Sequence, residues 1–106
     1  VQKATELAKA AAPELELDGE FQFDAAVAPE VGSLKAPGSK VAGHANTFIF
    51  PNINAGNIGY KICARMGGWK AIGPVCQGFA KPLNDLSRGC NVEEIIDTVA
   101  VTALQA

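Results

Sequence analysis

The pattern of apolar and polar positions predicts three long helices. Residues 1–12 are charged and rich in alanine, and Pro13 is the expected stop. Residues 55–66 follow a possible cap at Asn52 or Asn54 and end at a glycine pair, and residues 91–106 form the third helix. We expect the second and third helices to bury apolar faces made of Ile58, Ile62 and Met66, and of Val92, Ile95, Ile96, Val99 and Ala103.

Four shorter segments have the pattern of strands. Residues 15–23 alternate apolar and polar side chains, which is typical of an edge strand or hairpin. Residues 47–50 form a continuous β-branched and aromatic run, as expected for a strand covered on both faces. Residues 71–77 read as another strand and residues 82–85 as a short extended piece.

A short helix is predicted between the first two of these segments. Asp24 can cap a helix that runs through Val31 and Leu34, after which residues 36–39 have the composition of a turn. Because strands alternate with helices along the chain, the sequence predicts an α/β fold built on a sheet.

Composition and charge exclude several classes of function. The chain has 106 residues, of which 48% are hydrophobic, and a net charge of -2, which favours a soluble globular domain or part of one. The scatter of Lys and Arg gives no basic stripe for nucleic acid, and no apolar run approaches the roughly 20 residues of a membrane span. Three cysteines without metal-ligand spacing predict no metal site and a cytoplasmic location. Since the chain opens at Val1 inside a helical pattern, we expect a fragment.

The most informative segment is the turn at residues 81–90, which leads into the last helix. Ser87 and Arg88 stand just before a helix N-terminus, where free N–H groups and the helix dipole favour an anionic acyl or phosphate group. Ser87 is best interpreted as a hydrogen-bonding group and Arg88 as a clamp for phosphate or oxyanion charge. A Ser-His-Asp hydrolase does not fit, because the single histidine, His44, is distant in sequence.

Two other candidates have alternative interpretations. Arg65 shares a helical stripe with Asn57 and Lys61, which either projects a cation into a crevice or is a solvated face. Glu94 either completes a capping box with Asn91 or acts as a general base that takes a proton from a thiol.

Five stretches of the chain carry a family resemblance. Residues 21–27, 50–61, 71–74, 77–78 and especially 81–89, Lys-Pro-Leu-Asn-Asp-Leu-Ser-Arg-Gly, resemble the C-terminal part of the phosphate acetyltransferase (phosphotransacetylase) family. The resemblance implies reversible transfer of an acetyl group between coenzyme A and inorganic phosphate through a ternary complex. Acetyl-CoA and phosphate are then substrates, and the reaction needs no metal or organic cofactor.

The resemblance also assigns roles to individual residues. The active-site Ser-Arg pair of the family falls on Ser87 and Arg88, and its cleft arginine falls on Arg65. The acidic base of the family, usually an aspartate, falls on Glu94. Arg65, Arg88, Asn84 and Lys81 are the expected substrate-binding residues.

The family fold implied is a three-layer α/β/α mixed sheet of the isocitrate/isopropylmalate dehydrogenase-like type, with a cleft between two domains and usually a homodimer. Residues 1–106 are then the C-terminal portion of a phosphate acetyl/butyryl transferase catalytic domain, and this portion alone is expected to be inactive. The alternatives are a non-catalytic, acetyl-CoA-sensing regulatory domain such as those appended to some malic enzymes, a phosphate butyryltransferase, or an α/β fragment whose turn merely caps a helix.

Overall fold

The computed structural model describes residues 1–106, which form five helices. The chain divides into two compact units, Val1–Gly56 and Asn57–Ala106, called here the first and the second unit. None of the helices combines the length and the apolar content needed to cross a membrane. In chain order the helices are α1 (Gln2–Ala11), α2 (Phe23–Val27), α3 (Pro29–Lys35), α4 (Ile53–Arg65) and α5 (Val92–Leu104).

The three long helices confirm the sequence prediction to within two residues at each end. Their caps are local, which is why the sequence reveals them. Asn52 Oδ1 accepts a hydrogen bond from the N–H of Ala55 at 3.0 Å, inside the first turn of α4. At α5, Asn91 Oδ1 accepts from the N–H of Glu94 at 2.9 Å and thereby fixes the first turn.

The single helix predicted from Asp24 through Leu34 is wrong, because the structure has two helices there. Pro29 begins α3, and a proline supplies no N–H to continue the hydrogen bonding of α2. Asp24 lies inside α2 instead of capping it. Its Oδ1 accepts from the N–H of Ala25 at 2.8 Å, and its Oδ2 lies 3.1 Å from Lys35 Nζ.

The core of the first unit is small and made mostly of alanine and glycine. Ala25, Ala26 and Ala42 are buried, and two backbone hydrogen bonds join α2 to the segment after α3, from Gly43 to Ala25 and from Ala45 to Ala26. A methyl group at Gly32 would lie 2.6 to 2.9 Å from backbone atoms of three other residues. The close approach of α3 to this backbone therefore depends on glycine.

The segments predicted as strands form no paired sheet. The one pairing is an isolated antiparallel bridge between Val75 and Asn84, which joins the two segments predicted at residues 71–77 and 82–85. In the first unit the ring of Phe48 lies 5.2 Å from that of Phe23, and the next residue, Ile49, is 89% exposed. A strand needs a neighbour to satisfy its backbone groups, and residues 47–50 have none here. The three-layer sheet stays a prediction.

The predicted burial of the apolar faces of α4 and α5 is wrong. Met66 is 85% exposed, Ile62 and Val99 are more than half exposed, and the buried residue of α5 is Thr98. Helical spacing identifies the side chains that share a face, but burial requires a second surface over that face. No element of the second unit covers these residues.

Candidate functional site

A hollow of about 250 Å³ lies in the second unit where α4 ends and α5 begins. Its walls come from the last turns of α4, the connection that follows, the turn before α5, and the first turn of α5. Its lining includes Tyr60, Arg65, Trp69, Lys70, Ser87 and Glu94.

Three of the predicted site residues line this hollow together. Arg65 is the last residue of α4, and the chain turns after it because the N–H of Gly67 donates back to the carbonyl of Ile62. Ser87 is half-buried in the turn before α5, which is closed by a 3.0 Å hydrogen bond from the N–H of Cys90 to its carbonyl. Glu94 is the third residue of α5. Arg65, Ser87 and Glu94 come from three separate elements, so their meeting is a result of the fold.

Glu94 is held by a complete capping box. Its Oε2 accepts the N–H of Asn91 at 2.9 Å, and its own N–H donates to Asn91 Oδ1 at the same distance. The capping interpretation is therefore confirmed. Oε1 accepts no hydrogen bond from the chain, so one oxygen of the carboxylate is left for a ligand. The role of general base stays a prediction.

The cations of the hollow differ in what they contact. Lys70 Nζ donates to Glu93 Oε1 at 2.9 Å and lies 2.8 Å from Asp97 Oδ2. The second contact is an ion pair, and the two carboxylates, Asp97 foremost, raise the pKa of Lys70. Lys61 Nζ donates to the hydroxyl of Tyr60. Arg65 has no acceptor within the chain, so among the three cations of the hollow it is the one without a protein partner.

The start of α5 adds neutral donors. The N–H groups of Val92 and Glu93 have no acceptor in the chain, as is usual in the first turn of a helix. Together with the helix dipole they favour negative charge at this end of the hollow.

Three other predicted site residues lie outside this hollow. Arg88 is exposed, does not line it and forms no ion pair. Lys81 lines a different hollow of about 290 Å³. Asn84 is committed to the fold, since its Oδ1 accepts from the N–H of Cys76 and its Nδ2 donates to Thr102 Oγ1 and Gln105 Oε1.

Sequence reasoning missed Trp69 and Lys70. Both follow the Gly67-Gly68 pair that ends the helix, and neither belongs to a helical or strand-like pattern of apolar residues. The structure brings them back over α4 through a hydrogen bond from the N–H of Trp69 to the carbonyl of Cys63. The glycine pair is the signal that the chain turns at this point, but it does not show which wall the next residues join.

Comparison with known proteins identifies the family. The family model described as phosphate acetyl/butaryl transferase matches residues 1–103. The chain belongs to this family. The match includes Arg65, Ser87 and Glu94, so the residues that line the hollow all lie within it.

Curated relatives are similar over the whole chain. It is 57% identical over 106 residues to the phosphate acetyltransferase of Clostridium acetobutylicum, and 56% identical over 106 residues to those of Bacillus subtilis and Thermoanaerobacterium thermosaccharolyticum. All of this chain is covered in each comparison, against 32%, 33% and 32% of the relatives. The chain thus spans about a third of the length of these relatives.

Proposed function

We propose that this chain is the C-terminal part of the catalytic domain of a protein that reversibly transfers an acetyl group between coenzyme A and inorganic phosphate. The relatives named phosphate acetyltransferase, similar over every residue of the chain, support this activity. The observation that carries it is the meeting of Arg65, a cation without a protein partner, with Ser87 and Glu94 at one hollow. An anionic acyl phosphate fits there beside a hydrogen-bond donor and a carboxylate.

The proposed chemistry needs few groups. Glu94 takes the proton of the coenzyme A thiol, and the thiolate attacks the carbonyl carbon of acetyl phosphate in a ternary complex. A carbon–sulfur bond forms, the carbon–oxygen bond to phosphate breaks, and phosphate leaves with the electron pair. Arg65 balances the negative charge of the phosphate and the developing oxyanion, and Ser87 donates a hydrogen bond.

Arg88 keeps its predicted role as a clamp for phosphate or oxyanion charge in this proposal, together with Arg65. It directly follows Ser87, its side chain is exposed, and it has no partner to give up. The neighbouring Asp85 forms no ion pair with it, and Asp85 Oδ1 accepts the N–H of Leu86 at 2.7 Å. Arg88 would therefore reach the ligand only after its side chain reorients, at an entropic cost.

The remaining predictions extend the proposal. We propose that the full-length protein, meaning the longer polypeptide that contains this chain, has the three-layer α/β/α sheet of the family and acts as a cytoplasmic homodimer. The exposed apolar faces of α4 and α5 and the unpaired segment at residues 47–50 support partner surfaces outside this chain. The reaction is proposed to need no metal or organic cofactor, and the net charge of -2 fits small-molecule substrates better than nucleic acid.

Kinetics of the full-length protein test this proposal. Arg65→Ala is expected to lower turnover about 100-fold, because it removes a cation from developing negative charge. Lys40→Ala is the matched control, since Lys40 is exposed, carries the same charge and makes no contact with the hollow. Unchanged turnover in Arg65→Ala would contradict the proposal. A wild-type protein that binds acetyl-CoA without forming acetyl phosphate would support the regulatory alternative instead.

The 106-residue polypeptide by itself is expected to show no turnover. The hollow of about 250 Å³ is small for a ternary complex, and the relatives are about three times as long as the chain. Acetyl phosphate formation by the isolated polypeptide at the rate of the full-length protein would contradict this expectation.

A further inference from the structure

Lys70 is a charged residue of the hollow that pairs with two carboxylates and has no role in the chemistry above. It comes from the connection after α4, whereas its partners Glu93 and Asp97 lie one turn apart on α5. Lys70 therefore ties this connection to the first two turns of α5, the same turns that carry Glu94.

One oxygen of the Asp97 carboxylate depends on Lys70. Asp97 Oδ2 is buried and has no hydrogen-bond partner, so the ion pair at 2.8 Å is its one compensating contact. A buried carboxylate oxygen without compensation is costly. Lys70 also donates a hydrogen bond to Oε1 of Glu93, which lines the hollow. Its charge is thus used by two carboxylates of the chain.

The charges around the hollow balance only while Lys70 is present. Three cations, Lys61, Arg65 and Lys70, stand with Glu93 and Glu94 in its wall, and Asp97 stands behind them. Every substrate of the proposed reaction is an anion. Without Lys70 the surroundings of the hollow carry an extra negative charge next to the place where these anions bind.

We propose that Lys70 is a positioning residue that neutralises Asp97 and Glu93, so that anionic substrates can enter the hollow, and that it does not bind substrate itself. The inference rests on the proposed function. It assigns to Lys70 a task different from that of Arg65, although both are cations of the same hollow.

The test is a set of variants of the full-length protein, with the Michaelis constants for acetyl phosphate and coenzyme A measured separately from kcat. Lys70→Met is expected to raise both Michaelis constants about fivefold, as one unit charge acting over about 8 Å through a partly aqueous medium would do, with kcat little changed. Lys70→Arg keeps the charge and is expected to behave like the wild type. A purely structural role would instead lower kcat or stability without this split.

The double variant Lys70→Met/Asp97→Asn decides between neutralisation and direct binding. Because it removes one charge of each sign, both Michaelis constants are expected to return to within about twofold of the wild type. Double-variant constants as high as those of Lys70→Met would overturn the proposal, since Lys70 would then contact substrate. Unchanged constants in Lys70→Met would overturn it as well.

Two further measurements keep the result decisive. Asp97→Asn alone does not leave a buried charge unpaired, so it serves if Lys70→Met fails to fold. It is expected to lower the Michaelis constants, and unchanged or raised values would count against the inference. Calorimetric titration with inorganic phosphate on the same variants needs no turnover. Phosphate affinity is expected to fall in Lys70→Met and to recover in the double variant. If the affinities change in this way but the wild type transfers no acetyl group, the proposed function is refuted and the role of Lys70 remains.

Discussion

The two roles of Glu94 can be separated by substitutions that each preserve one of them. Glu94→Gln keeps the side-chain length and an oxygen that can accept the N–H of Asn91, so the capping box survives, but an amide cannot take a proton. Glu94→Asp keeps the carboxylate and shortens the reach by one methylene, which weakens the box. Glu94→Ala removes both.

The expected magnitudes follow from the geometry. Glu94→Gln gives up only a charge near the helix N-terminus, which costs about 0.5 kcal/mol of unfolding free energy. Glu94→Ala also loses the 2.9 Å contact to Asn91, for a total of about 1.5 kcal/mol. If Glu94 is the base, kcat falls about 100-fold or more in both Glu94→Gln and Glu94→Ala, and Glu94→Asp retains most of it.

The assay pairs initial rates of acetyl phosphate formation with urea unfolding of the same full-length variants. Glu16→Gln is the control for loss of an exposed carboxylate, since Glu16 makes no side-chain contact in the structure. A Glu94→Gln variant that keeps the wild-type kcat would refute the base assignment. If in addition Glu94→Ala lost stability, Glu94 would act through the helix cap alone.

Three predictions concern stability and are measured by denaturant unfolding. Gly32→Ala is expected to destabilise the protein by about 1–3 kcal/mol despite the higher helix propensity of alanine, because the new methyl meets the backbone of Ala25, Ala42 and Gly43. The neighbouring Ser33→Ala is the control. A Gly32→Ala variant as stable as this control, or more stable, would contradict the prediction. Hydrogen bonds from Lys9 and Ser39 lower the pKa of Asp18, so its carboxylate contributes about 1 kcal/mol above its ordinary pKa of 3.8, and this contribution is lost as pH falls through the lower folded value. The stability difference between wild type and Asp18→Asn should therefore shrink below pH 3.8, and a difference independent of pH would refute the assignment. Asn84→Ala is expected to cost about 1–3 kcal/mol through the three hydrogen bonds of its side chain, whereas a raised Michaelis constant with unchanged stability would restore the substrate-binding role.

The helices were predictable because their signals are local. Asn52 and Asn91 act within three residues of their own positions, and Pro13 and Gly67 end helices by the properties of one residue. The break at Pro29 was also present in the sequence. The apolar pattern continued across it and masked the signal, since α2 and α3 pack against one another and both bury small residues.

Partners distant in sequence could not be predicted in the same way. The alternation at residues 15–23 and the apolar run at residues 47–50 show which side chains share a face, but the neighbour that would complete a strand is not encoded in either segment. For the site, the turn at residues 81–89 indicated Ser87 and a helical stripe indicated Arg65. The same turn gave no sign that the amide of Asn84 bonds to Cys76, Thr102 and Gln105.

The difference between Arg65 and Lys70 bears on how a charged site should be interpreted. Both are cations in the wall of one hollow, and counting charge alone would assign both to the substrate. Lys70 already compensates a buried carboxylate oxygen, so moving it to a ligand would leave that oxygen of Asp97 without its ion pair. Arg65 has no such obligation and can bind an anion without breaking any contact of the chain. Both residues carry the same charge, so the presence or absence of a protein partner is what distinguishes Arg65, the proposed substrate-binding residue, from Lys70, the proposed positioning residue.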